Sequence, residues 1–224
     1  MSASPALERF SRPALLALLV VAWIAVVATG MKVLLDYQVQ PGAAANAPAT
    51  WPAASAIPRT AGTPTLVLMA HPRCPCTRAT LGELERLVAD TRGALDVYVL
   101  FVIPRGFDPR WAHGDLWRRA AAMPGVRLIE DPEGREARRF GAFTSGQALL
   151  YDAAGQLAFA GGITPGRGHE GDNAGRDAIV ACVQRPARSV AQPLEPKPYE
   201  TPVYGCALAS STTRSTEGGP RCPK

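Results

Sequence analysis

The stretch that most limits what this chain can become runs from Thr65 to Arg92, TLVLMAHPRCPCTRATLGELERLVADTR. Its first part, TLVLMAH, is a short apolar run of the kind that forms a fully buried strand. Its last part, TRATLGELERLVADTR, sets Leu81, Leu84, Leu87 and Val88 at helical spacing, which predicts an amphipathic helix despite Gly82. Thr77 or Thr80 is the expected cap of that helix. A buried strand that passes straight into a helix requires a layered α/β arrangement. At the joint stand Cys74 and Cys76, one residue apart.

The rest of the body repeats this alternation. LDVYVLFVIP (95–104) predicts a second strand, ended by Pro104. RWAHGDLWRRAAAM (110–123) predicts a helix closed by Pro124 and Gly125, with Gly114 inside it. VRLIED predicts a short strand, EGREARRFGA a short helix, QALLYD and QLAFAGG a hairpin through Ala153-Ala154-Gly155, and NAGRDAIVACV a closing helix. The order β-α-β-α-β-α-β-β-α implies an α/β fold with a mixed sheet and helices on both faces.

The N-terminal run PALLALLVVAWIAVVATGMKVLL, residues 13–35, has one charge, Lys32, and is long enough to cross a bilayer. Arg9 and Arg12 precede it, while Lys32 and Asp36 nearly balance after it, so residues 1–12 are expected in the cytoplasm and the body outside. The expected location is a bacterial inner membrane, single-pass, with the C-terminal domain in the periplasm. The alternative is a cleaved signal peptide, for which PGAAANAPA supplies small residues, although these lie well past the apolar run. Residues 36–63, rich in Ala and Pro, read as an extended tether; residues 64–184 as the folded domain; residues 185–224 as a Pro-rich irregular extension. The formal charge of +5 is scattered rather than gathered in a patch, which argues against a nucleic-acid partner.

Five cysteines, Cys74, Cys76, Cys182, Cys206 and Cys222, all fall in the part expected to be exported. The compartment allows disulfides, and the odd count leaves one thiol over. Cys182 lies on the apolar face of the last helix and reads as a core residue. Cys206, in TPVYGCAL, either folds back as a resolving thiol or pairs with Cys182 or Cys222.

A strand that delivers a cysteine motif to the N-terminus of a long helix resembles the thioredoxin superfamily, and FGAFTSGQALLYDAAGQLAFAGG resembles that family's later half. The resemblance covers residues 65–184. With the membrane run, HPRCPCTR, FGAFTSG, GGIT and RGHEGDN, the chain is most similar to the RedB-type membrane-tethered thioredoxin-like proteins. The resemblance implies a thioredoxin-like three-layer fold and thiol-disulfide exchange with exported thiol or disulfide proteins. Helix dipole and unpaired N–H groups would then stabilise a thiolate. The implied catalytic set is Cys74 as the attacking thiol, Cys76 as the resolving one, Arg73 (with Arg78) favouring the thiolate, and Ser145 and Gly146 in the loop Thr144–Gln147 that presents the partner.

Two departures from the family pattern bear on this. Cys76 falls on the family's second cysteine, whereas the first position holds Arg73, and Gly146 stands near the family's cis-proline. A disulfide across one intervening residue cannot easily reach relaxed geometry and would exchange readily.

Two other readings stay open. Cys74, Cys76 and His169 form a soft donor set that would suit Cu(I), with a resemblance to the Sco-type copper assembly factors, whose cysteines are spaced Cys-x-x-x-Cys. In the third reading the cysteines are purely structural and the domain is an interaction module. The redox reading requires no cofactor. His71 is either a packing neighbour of the motif or part of it, and His113 reads as a surface residue. Near His169, Asp172 or Asn173 is the expected cap of the last helix. Gly166-Arg167-Gly168-His169-Glu170-Gly171 fits G-x-G-x-x-G, but no strand follows the helix after it, so dinucleotide binding is excluded.

Overall fold

The computed structural model describes residues 12–184 and 198–208. The chain divides into two compact units, Met1–Val39 and Gln40–Lys224. The first contains helix α1, Arg12–Val39. Its span Pro13–Val39 is, among the described residues, the one helix long and apolar enough to cross a membrane. Its large apolar side chains, from Leu15 to Val39, stand exposed, and Lys32 pairs with Asp36 one turn on at 2.7 Å.

The second unit is built on a six-stranded mixed sheet ordered β3-β2-β1-β4-β5-β6. The strands are β1 Thr65–Ala70, β2 Asp96–Ile103, β3 Val126–Pro132, β4 Gln147–Tyr151, β5 Leu157–Gly162 and β6 Tyr199–Glu200. β1, β2 and β3 run parallel, β4 is antiparallel to both β1 and β5, and β6 is parallel to β5. This is the thioredoxin-like α/β fold expected from the sequence.

Every residue of β1 is buried, because both faces of the sheet are covered. Leu66, Leu68, Val97, Val99 and Phe101 point to one face, under α2 (Pro75–Thr91), α3 (Asp115–Ala121) and α5 (Ala174–Gln184). Leu81, Leu84 and Leu87 of α2 enter that core together, as their spacing required. Val67, Met69, Tyr98, Leu100, Leu149 and Tyr151 point to the other face, where Ala137 of the short helix α4 (Arg135–Arg139) and the adjacent Phe140 cover them.

Helix α4 is too short to cover that face alone, and irregular chain from either side of the domain completes the layer. Past Val39, residues 40–63 form neither helix nor strand, yet they are no free spacer. Ile57 is 3% exposed, and Trp51 packs edge-on against Phe140 and Tyr151 at 5.0 and 5.2 Å. Asn46 N–H donates to Gly141 O, and Trp51 N–H to Gly155 O. The folded unit therefore begins at Gln40 rather than at residue 64.

Two local expectations also change. The helix expected over 110–123 is a 3-10 turn, Pro109–Ala112, followed by α3 from Asp115. Asp108 caps the turn by accepting from Arg110 N–H, and Gly114, in an extended conformation, separates the two pieces. The cap of α2 is Cys74, with Pro75 in the first turn, where its missing N–H is harmless. Thr80 instead bonds back to Cys76 O, and Thr77 donates its hydroxyl to His71 O. At α5, Asn173 Oδ1 accepts from Arg176 N–H, so of the two expected caps it is Asn173 that acts.

Candidate functional site

β1 ends at Ala70, and the backbone turns through His71 and Pro72 so that Cys74 opens α2. His71 N–H donates to Ser145 Oγ at 2.9 Å, and the Ser145 and Thr77 hydroxyls bond each other at 2.8 Å. These bonds tie the cysteine turn to the loop before β4. The loop is held in turn by Gly146 N–H, which donates to Met69 O at 2.7 Å. Gly146 has φ +88°, a conformation proline cannot adopt, and no described peptide bond is cis. The loop is thus held by a backbone N–H that proline would lack.

Both motif thiols are buried: Cys74 is 0% exposed and Cys76 8%. The third sulfur at the site comes from the C-terminal segment. Cys206 Sγ lies 2.8 Å from Cys74 Sγ, across 132 positions of sequence. Cys206 and Cys74 are also the two largest influences on the Cys76 thiol. No disulfide joins the four described cysteines.

The Cys74 thiol is held far below its usual pKa. The Cys206 thiol is the main cause, Cys76 the next, and the backbone amides of Cys206 and Thr77 add to it against the opposing effect of burial. For Cys76 the Cys206 contact, its largest influence, acts downward. It is outweighed by the hydrogen bond to Cys74, by burial and by the Cys74 charge, and the net shift is upward. The surroundings of the reduced site thus favour the thiolate on Cys74 over Cys76. Burial lowers the pKa of His71, opposed by Cys74 and aided by Arg73, so the imidazole is neutral at neutral pH.

The expected role of Arg73 changes. Its exposed guanidinium lies over the Trp111 ring at 4.9 Å, and Arg78 pairs with Asp115. The largest influences that lower the Cys74 pKa are instead the two neighbouring sulfurs and the amides of Cys206 and Thr77. The cation that does act on the site is Arg167, which favours the Cys76 thiolate and donates to Gly205 O at 2.8 Å and Gln40 O at 3.1 Å. Sequence reading passed over Arg167 because it lies inside a glycine-rich run that resembles a nucleotide loop.

His169 sits exposed in the same run, its N–H directed at Gly166 O. Among the described residues no group of three or more His, Cys, Asp or Glu side chains is arranged to hold a metal ion, so Cys74, Cys76 and His169 are not gathered as a ligand set. His113 pairs with Glu130 at 2.7 Å against Trp117, away from the cysteines. Cys182 packs against the main core, as expected, and Cys222 lies outside the described residues.

No protein-family model and no curated protein matches the chain. Among solved structures, an uncharacterized conserved protein from Geobacillus kaustophilus aligns with TM-score 0.53 at 15% identity, over 78% of this chain and 94% of that one. A hypothetical protein from Sinorhizobium meliloti 1021 aligns with TM-score 0.51 at 17% identity, over 76% and 94%. A secreted Mycobacterium tuberculosis disulfide oxidoreductase aligns more weakly, with TM-score 0.41 at 16% identity over 55% and 81%. At such identities the likeness concerns the fold.

Proposed function

We propose that this chain is a membrane-tethered thiol-disulfide protein of the RedB-type thioredoxin-like kind, acting on exported thiol or disulfide proteins through a thiolate on Cys74. One observation carries this reading: Cys74 opens α2 with its pKa driven down and a second thiol 2.8 Å from its sulfur. A thiolate is the reactive form of cysteine, and a neighbouring thiol is what turns a mixed disulfide into a protein disulfide. Helix α1 serves as the single-pass anchor, with the body on the periplasmic side, as the Arg9 and Arg12 flank implies.

Equilibrating the detergent-solubilised full chain across a series of glutathione redox buffers tests the reading. The expected result is one two-electron transition, absent in Cys74→Ser. A chain whose thiols show no redox equilibrium with glutathione is not a thiol-disulfide protein. Retention of one Cu(I) per chain, lost on Cys76→Ser, would instead favour copper handling.

A further inference from the structure

The C-terminal segment 198–208 is fitted to the body along its whole length. β6 pairs with β5 through Phe159↔Tyr199 and Ala160↔Glu200. Thr201 Oγ1 donates to Gly162 O at 2.9 Å, and Gly42 N–H donates to Val203 O at 2.8 Å. Val203 and Leu208 are 2% and 5% exposed, and Leu208 belongs to the second core. Between them the segment forms an antiparallel bridge with the cysteine-facing loop, Thr144↔Ala207. Ser145 N–H donates to Cys206 O at 2.8 Å, and Leu208 N–H donates to Phe143 O at 2.9 Å.

Glycines make room for this strap. A Cβ on Gly162 would stand 2.6 Å from Pro202 O, and a Cβ on Gly205 would overlap Ser145 O. The backbones touch only because both positions lack side chains. The outcome of the fit is the placement of Cys206 against Cys74.

We infer that Cys206 is the third redox residue of this site: it forms the site's disulfide with Cys74, and exchange enters from its side. The inference rests on the reading of Cys74 as the thiolate, and gives that thiolate the resolving step rather than the first attack on the client. Two facts select this pair over Cys74 and Cys76. A bridge across one intervening residue cannot relax, whereas Cys206 approaches from a separate segment whose backbone is already fixed. Cys74 is fully buried, whereas Cys206 is only partly buried, so the thiol that meets a bulky disulfide is Cys206.

The steps balance as follows. The Cys206 thiol gives its proton to water. The Cys206 thiolate attacks one sulfur of a client disulfide, the client S–S bond breaks, and one client thiolate leaves and takes a proton from water. The Cys74 thiolate then attacks Cys206 Sγ, expelling the second client thiolate, which is protonated in turn. Two protein thiols are oxidised to one disulfide, and one client disulfide is reduced to two thiols. The reverse sequence oxidises a client dithiol.

Glutathione disulfide is the probe. The reduced, detergent-solubilised full chain is mixed with it, quenched with acid at intervals, alkylated, digested and mapped by mass spectrometry. The expected course is a transient glutathione adduct on Cys206, followed by a linked Cys74–Cys206 peptide. Cys74→Ser should stop at the Cys206 adduct and hold it at least about tenfold longer. Gly205→Ala keeps every cysteine but lifts the strap, and should slow the Cys74–Cys206 link by at least about tenfold. A Cys74–Cys76 link, or a Cys206–Cys222 link, overturns the inference while leaving the chain a thiol-disulfide protein. So does Cys74→Ser with Cys206 unmodified. Wild-type chain that takes up no glutathione and forms no disulfide overturns both.

Discussion

Glu83 offers a quantitative test of how the site is braced. Its carboxylate is fully buried on α2, between the first core leucines. It accepts from Arg176 Nη1 at 2.8 Å, from Gly171 N–H at 2.7 Å, from Asn173 Nδ2 at 3.3 Å and from Arg86. One side chain thus fastens α2, α5 and the run 163–173, which also carries Arg167. Glu83→Ala would leave the Arg176 guanidinium, 16% exposed, without this carboxylate and would leave Gly171 N–H without its acceptor. Breaking a buried ion pair from one side costs about 3–5 kcal/mol, a large part of a typical domain's stability. With a urea dependence of about 2 kcal/mol per molar, the unfolding midpoint should fall by about 1.5–2.5 M. Tryptophan fluorescence of the detergent-solubilised chain in urea measures it. The double mutant Glu83→Ala/Arg176→Ala should recover part of the loss, with a coupling of about 1–3 kcal/mol. A midpoint shift under about 0.5 M, or strictly additive single mutants, would show that the carboxylate does not brace the junction.

Three further outcomes follow from the same geometry. Gly146→Pro should destabilise by about 3 kcal/mol or more, since it removes the bond to Met69 O and φ +88° is closed to proline. Gly146→Ala should destabilise less, by about 1–2 kcal/mol, with its Cβ 3.0 Å from Thr80 Oγ1; thermal unfolding that ranks the two the other way refutes the role given to the N–H. The reduced chain should keep thiolate absorbance near 240 nm as pH falls well below the usual thiol pKa of about 8.5, and Cys74→Ser should lose it. Because the folded pKa of Cys74 lies below the unfolded one, its contribution to stability is full above the unfolded pKa and is lost as pH falls through the folded pKa; a wild-type advantage that grows with acid contradicts the assignment. Trp51→Ala should lower stability by about 2–4 kcal/mol and open residues 40–63 to limited proteolysis, whereas a free tether would be cut equally in both chains.

The regular part of the fold was legible because its periodicities are local. TLVLMA and DVYVLFVI are continuous apolar strands, and the leucines of α2 recur at helical spacing, so strand, cysteine turn and helix could be placed in order. How residues 40–63 and 198–208 pack on the body was not legible, for a related reason. Their burial is carried by single residues such as Trp51, Ile57, Val203 and Leu208, set among Ala, Pro and Gly, and such a pattern has no period to read. The two glycines at the contact, Gly162 of β5 and Gly205 of the strap, carry no sign of it until Pro202 and Ser145 are seen against them. Arg73 and Arg78 were credited for adjacency in sequence, but their stems direct them to Trp111 and Asp115.

The short cysteine spacing takes on a different meaning with Cys206 in place. Cys74 caps α2 and Cys76 lies within its first turn, so the two sulfurs share one rigid helix end. A helix end fixes the positions of both residues and leaves little freedom to bring their sulfurs to bonding geometry. It is well suited to another task, which is to present amide and thiol donors to a single sulfur. The Cys76 thiol and the Thr77 amide both favour the Cys74 thiolate. Under the inferred scheme the motif then divides the labour: Cys74 is the thiolate, Cys76 is a donor that holds it, and the oxidisable partner arrives from 132 positions away on a strap that touches both the loop at Ser145 and the cation Arg167. On this scheme the redox state of the site and the docking of the C-terminal segment are one equilibrium. Whatever loosens Gly205 or Arg167 must also change the exchange chemistry of Cys74.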